Sequence, residues 1–246
     1  MSCDQGCTTV GTILDRVCGL LNDRDPALGN VRWSRADLIG HLNEALCELS
    51  AHVPDAFAEV LDIVLKPGAQ QKLADKFGGL ISIEAHYANG EARPVSEANY
   101  RYAKIFKKKP CLARNACGGG TGDPCRDYRL KSYVKNPVDD TVFTVEPPVP
   151  PGCSITVKAT VYGRPSRFCS ADEKKCLGIG CEYEAQVVNW ILYRAFSVDM
   201  ESTQSRDNAK LYYELFNRGI ELKNRAALRV EKEIDEAAGN RTGRQR

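Results

Sequence analysis

Three histidines in a chain of 246 residues are few. Histidine is the side chain whose ordinary pKa suits proton transfer near neutral pH, so this shortage speaks against an acid–base centre, though carboxylate chemistry stays open. The Gly-x-Ser-x-Gly nucleophile elbow and the His-Glu-x-x-His metal motif are missing too. Gly118-Gly119-Gly120-Thr121-Gly122-Asp123 looks like a phosphate loop only on the surface, because it lacks the Gly-Lys-Ser/Thr ending and no apolar helix follows it. Asp139-Asp140 falls at a turn before a strand, where solvation accounts for the charge. The expectation is a non-enzyme with no catalytic residue and no cofactor.

Long apolar runs are also missing. Nothing approaches the roughly 18 residues needed to span a bilayer, and the start, Met1-Ser2-Cys3-Asp4-Gln5, has neither the basic nor the apolar region of a signal peptide. Synthesis in a reducing cytoplasm, without membrane contact, is therefore expected, and disulfides are rare there. Charge of one sign is not in excess: 34 Lys and Arg face 32 Asp and Glu, leaving +2.

What is present in surplus is cysteine, 11 in all. Cys111, Cys117 and Cys125 flank the glycine run, and Cys169, Cys176 and Cys181 form a second group. Neither group holds a Cys-x-x-Cys pair, and His41, His52 and His86 are remote in sequence from both. Three readings stay open: free thiols acting as small hydrophobes, a disulfide within one cluster, or a thiol–zinc site, with Cys111, Cys117 and Cys125 the candidate ligands. Cys18 and Cys47 suit the first, since both lie in helical, apolar-periodic stretches.

Residues 8–21 have apolar residues at helical spacing behind a cap at Thr8 or Thr9. A second helix follows Ser34, whose hydroxyl can cap the first turn while Asp37 suits the helix dipole; Leu38, Ile39, Leu42, Leu46 and Leu49 form its apolar face and Pro54 stops it. Trp33, just before the cap, is placed to staple the helix start.

From residue 58 the period becomes two. Val60, Asp62 and Val64 alternate with Leu61, Ile63 and Leu65, and Pro67-Gly68 then Gln70-Gln71-Lys72-Leu73 read as the turn and return of a hairpin. Further strands are expected at 80–85, 128–130 and 142–145, with turns at Asn89-Gly90 and 147–152, and a strongly alternating strand at 154–162. Helices return at 184–200 and at about 206–237, and 238–246 read as a basic tail. The expected fold class is α+β: a helical bundle from residues 8–57 and 170–237, with a β-rich insertion, 58–169, that contains a basic, Cys/Gly-rich loop at 101–135.

That loop holds ten Lys or Arg and two Asp. Lys107, Lys108, Lys109, Arg114 and Arg126 could face a phosphate backbone or an acidic partner, with Tyr100, Tyr102, Phe106 and Tyr128 interleaved; the plain alternative is a solvated excursion. No base-reading motif accompanies them.

Four segments carry a resemblance in shared order. They are Trp33 to Leu49, Leu65 to Gln71, Phe143 to Gly152, and the pair Val187 to Asp199 and Asn208 to Phe216. Together they resemble the tailed-phage head-to-tail adaptors, the tail-tubular-A-like connectors of short-tailed phages. The resemblance implies a structural virion protein at the head–tail junction, made in the host bacterial cytoplasm. It implies a homo-oligomeric ring, commonly a dodecamer, between the portal protein and the tail nozzle, enclosing the channel for DNA ejection, with non-specific contact to phage DNA. Arg241, Arg244 and Arg246 of the tail are then candidates for docking on the portal. Neither cysteine cluster, nor the C-terminal extension, matches the family pattern. Two rival readings are a nucleic-acid-binding accessory protein working through the basic segment, and a zinc-stabilised module.

Overall fold

The computed structural model describes residues 7–23, 32–88, 91–98, 125–198 and 202–242. The fold is α+β, and the chain divides into two compact units: Met1–Ala56 with Pro165–Arg246, and Phe57–Arg164.

The first unit is helical. Helix α1 (Val10–Leu21) begins where the Thr9 hydroxyl accepts the Thr12 N–H, and ends at Asn22, which sits in the left-handed region (φ 52°) that asparagine tolerates better than most side chains. Helix α2 (Arg35–His52) begins the same way: Ser34 Oγ accepts the Asp37 N–H and donates to the Asp37 carboxylate at 2.6 Å. Helix α3 (Glu184–Val198) packs on α4 (Thr203–Thr242), α2 and α1 through Val187, Val188, Ile191, Leu192 and Ala195, all buried. Each of the four larger side chains contributes roughly 1.5–3 kcal/mol. Between α3 and α4 lies an aromatic layer: Trp190 is 4.8 Å from Phe216, and Phe196 stacks on Tyr212 at 5.8 Å. Trp33 meets Phe196 edge-on and donates its indole N–H to the Ala195 carbonyl, which ties the start of α2 to α3.

Helix α4 overruns the expected end. The segment from Gly239, read above as a tail, is helical as far as Thr242. One internal glycine costs about 1 kcal/mol against alanine, too little to stop a 40-residue helix rich in Glu, Lys, Arg and Ala.

Among the described residues the second unit holds two four-stranded sheets. In order, its strands are β1 (Ala58–Leu65), β2 (Gly68–Lys72), β3 (Phe77–Ala88), β4 (Glu91–Pro94), β5 (Ser96–Glu97), β6 (Ser132–Lys135), β7 (Val142–Val149) and β8 (Ile155–Gly163). One sheet runs β1-β8-β3-β4 and the other β2-β7-β6-β5. Alternate residues of β8 (Ile155, Val157, Ala159 and Val161) are buried, and they join Phe143, Val145 and Tyr133 of the other sheet in one core.

Three expectations about this unit need correction. First, β1 and β2 do not form a hairpin: β1 pairs with β8 and β2 with β7. A two-residue hairpin loop at Lys66-Pro67 would need left-handed backbone where proline fixes φ near −65°; only Gly68, at φ 111°, is left-handed here. The corner is instead held by buried Gln71, whose side chain accepts the Lys66 N–H and donates to the carbonyls of Lys66 and Gly68. Second, β7 continues through Pro147-Pro148, with the Glu146–Pro147 peptide cis, into the stretch expected to turn. Prolines are tolerated because β6 pairing ends at Glu146 and the β2 register breaks between Thr144 and Val149, so no partner asks for their missing N–H. Third, the strand expected at 128–130 arrives at Ser132; Tyr128 and Leu130 are buried without ladder pairing, and the Tyr128 hydroxyl donates to the Pro147 carbonyl at 2.7 Å. The Asn89-Gly90 turn lies outside the described residues.

Candidate functional site

The segment joining the β unit back to α3 is tied to the helical unit by a dense set of contacts. Asn43 on α2 donates to the Phe168 carbonyl and accepts the Phe168 N–H, at 3.0 and 2.8 Å. Arg35 donates Nε and Nη2 to the two carboxylate oxygens of Glu173 and Nη1 to Asp15 of α1. The fork matches the carboxylate, which raises the Arg35 pKa and lowers that of Glu173. Gly11 lies so close to the Glu173 carbonyl that a Cβ there would sit 3.1 Å from it, and its N–H donates to that oxygen. Asp172 is brought down to about 2 by hydrogen bonds from Lys175, the Cys169 N–H and the Cys169 thiol. A disulfide between Cys7 and Cys176, beside the Thr9–Cys176 bridge, closes the tie.

This changes the cysteine picture. Among the described residues two disulfides form, Cys7–Cys176 and Cys125–Cys153, and each joins a cluster cysteine to one outside both clusters. Their Cα atoms stand 5.6 and 5.2 Å apart, within disulfide reach, whereas nearness in sequence does not set that distance. Cys18 is buried as expected, but Cys47 is exposed, on the outer side of α2. Cys169 and Cys181 are free and exposed. Among the described residues no group of three or more His, Cys, Asp or Glu is arranged to hold a metal ion. Cys125 pairs with Cys153, and Cys111 and Cys117 lie outside the described residues.

The candidate basic residues fare unevenly. Lys107, Lys108, Lys109 and Arg114 fall outside the described residues, as do Arg244 and Arg246. Arg126 is exposed in the turn after Cys125, and its carbonyl accepts from Arg129 Nη1 at 3.0 Å. Arg241 stands in the last turn of α4.

Three surfaces stand out for docking. The first is a shallow groove along α2 and α3, lined by Asn43, Glu44, Cys47, Glu48, Arg167 and Arg194. Its main charges answer each other: Arg194 Nε is 2.7 Å from Glu44. His41, on the same helix, has its pKa lowered by burial, against the opposing pull of Glu44. The second is a stripe on α4, where Leu211, Leu215 and Leu222 are exposed on the side opposite buried Ala209, Phe216 and Ile220. The third is β1. Val60 and Val64 are 56% and 57% exposed on one face, with Asp62 between them, while Leu61 and Ile63 on the other face are only partly buried. A signal for it was present in the sequence, because both alternating rows of β1 carry apolar residues, Val60 and Val64 as well as Leu61, Ile63 and Leu65, which a strand covered on one side does not require.

The sequence profile of the family described as SU10 adaptor protein matches residues 8–243. No curated protein matches the chain significantly. The matched span takes in nearly all of both units, with the tied segment and the whole of α4.

Proposed function

The chain belongs to the SU10 adaptor protein family, a family of phage adaptors, which makes it a structural virion protein that works by contact with other virion proteins, and on that premise we propose that it forms the ring joining portal to tail nozzle in a short-tailed phage. The family match over residues 8–243 carries this reading. Ring closure needs two unlike patches on each subunit. A helical unit with a leucine stripe and a β unit with an apolar edge supply chemically different surfaces. In this reading the four helices act as a bundle that sets the body of the ring, commonly of twelve subunits. The basic residues of the 101–135 segment, Lys107 to Lys109, Arg114 and Arg126, face the DNA of the channel. Arg241, Arg244 and Arg246 dock on the portal.

The test is assembly without nucleic acid. The purified chain should sediment with portal rings, and removing residues 239–246 should weaken that association. A chain that stays small, ignores the portal and binds DNA with an affinity that falls steeply with salt would instead support the nucleic-acid-binding reading.

A further inference from the structure

Helix α4 has two apolar faces, and the described residues cover one. Ala209, Phe216 and Ile220 are buried, while Leu211, Leu215 and Leu222 on the opposite side are between 40% and 59% exposed. A helix that packs on one side needs no second apolar row. Spacings of four and seven residues keep the three leucines on one line, the arrangement with which one helix meets another. Arg218 stands in that line and has no ion-pair partner among the described residues.

Helix α2 presents the opposite relief. Ala36, Gly40 and Cys47 are exposed on its outer side, again at spacings of four and seven. Two cavities of about 490 and 560 Å³ lie over them and share Gly40 and Glu44, so they form one trough along the helix. A glycine inside a helix costs about 1 kcal/mol against alanine. Gly11 stands against the Glu173 carbonyl, which accounts for its missing side chain; at Gly40 nothing lies within 4 Å of where a Cβ would be. Trp190 also lines the trough, and its indole N–H is buried without an acceptor. Gly40 thus leaves room that its own chain does not use, and Trp190 a donor that an incoming acceptor would satisfy. We propose that the leucine row of α4 from one copy docks along the α2 trough of the next, with the two helices running in the same direction. Equal spacing then sets Leu211 over Ala36, Leu215 over Gly40 and Leu222 over Cys47, large over small at each level, and brings Arg218 beside Glu44. The choice of a second copy rests on the ring reading, because joining one patch to a different patch on the next subunit is the association that propagates around a ring.

The test joins the two faces with a bond. In the full chain, Leu222→Cys places a thiol opposite the exposed, free thiol of Cys47. Diamide, which oxidises a pair of thiols to a disulfide, should then link copies into a ladder longer than pairs on a non-reducing gel, absent from the parent treated alike. Adding Cys47→Ser to the same chain should remove that ladder. Cross-linking no stronger than the parent's overturns the proposal. So does cross-linking that survives Cys47→Ser, which, if it stops at pairs, shows the leucine row meeting itself. Gly40→Trp fills the trough where the chain leaves space, so that variant should stay folded by circular dichroism and assemble roughly tenfold more weakly by light scattering. Unchanged assembly of that variant also overturns the proposal. The ring reading fails separately. Cys47-dependent links in open chains, seen by electron microscopy, uphold the contact and count against the ring alone; closed rings without such links overturn the contact and leave the ring standing.

Discussion

Two peripheral stretches of this molecule are treated in opposite ways. Residues 165–183 are fastened by a disulfide, a forked arginine, a paired asparagine amide and a bridge of backbone hydrogen bonds. Strand β1, of ordinary length and regular register, is left with an apolar edge and two half-exposed valines. The fastened stretch has every marker of a part that must not move, while β1 has those of a surface still to be covered. Substitutions in the first should therefore cost stability, and substitutions in the second should cost assembly.

The largest loss is expected at Cys7–Cys176. The bond spans 169 residues of sequence, and replacing both cysteines with serine should lower stability by about 2–4 kcal/mol, read as a shift in the denaturant midpoint. Next comes Asn43→Ala, which leaves the N–H and carbonyl of Phe168 without their side-chain partner and should cost about 1–3 kcal/mol in the same assay. If either variant left stability unchanged while assembly failed, the division between the two stretches would be wrong.

Acid should sharpen the contrast further. Glu173 and Asp172 have lowered pKa values, through Arg35 and Lys175 respectively, so their contribution is complete above the ordinary carboxylate range and lost as pH falls toward 2. His86, buried in the β unit against the edge of Tyr128, has its pKa lowered by burial and by Arg129 and Arg93. Its contribution is present above about pH 6.5 and lost as pH falls below it, because the unfolded chain takes up the proton first. Amides of the β unit should thus begin to lose protection, measured against their intrinsic exchange rate, at mildly acid pH, and His86→Leu should remove part of that loss, while the hydrogen bonds around Glu173 and Asp172 hold until lower pH. The smallest effect on stability belongs to Val60→Lys with Val64→Lys: within about 0.5 kcal/mol of the parent, yet with assembly reduced.

Much of the helical unit was legible because its signals are local. Ser34 caps the helix it was read to cap, Thr9 is the one of the two candidates that caps the first, and the apolar spacing of α2 gives its buried face. The β unit was legible in its alternation and not in its pairing. Pro67-Gly68 marks a change of direction, but whether the chain returns beside β1 or crosses to a second sheet depends on the distant β7 and β8. The cysteines show the same limit: Cys125 meets Cys153, and Cys176 meets Cys7, through tertiary distances that sequence spacing does not encode. Arg35, Asn43 and Gln71 carried no sequence signal at all, since each acts on backbone or carboxylate groups brought close only by folding. The adaptor resemblance rested on the order of short motifs spread along the chain, which is the kind of evidence a family profile over residues 8–243 also weighs.

The central claim is that this chain builds a closed ring from identical subunits. Electron-microscope images of the purified full chain, taken alone and with portal protein, test it most directly. The account predicts closed rings of uniform subunit number that stack coaxially on the portal without added nucleic acid; single subunits in both preparations, at concentrations where the chain is folded, would contradict it.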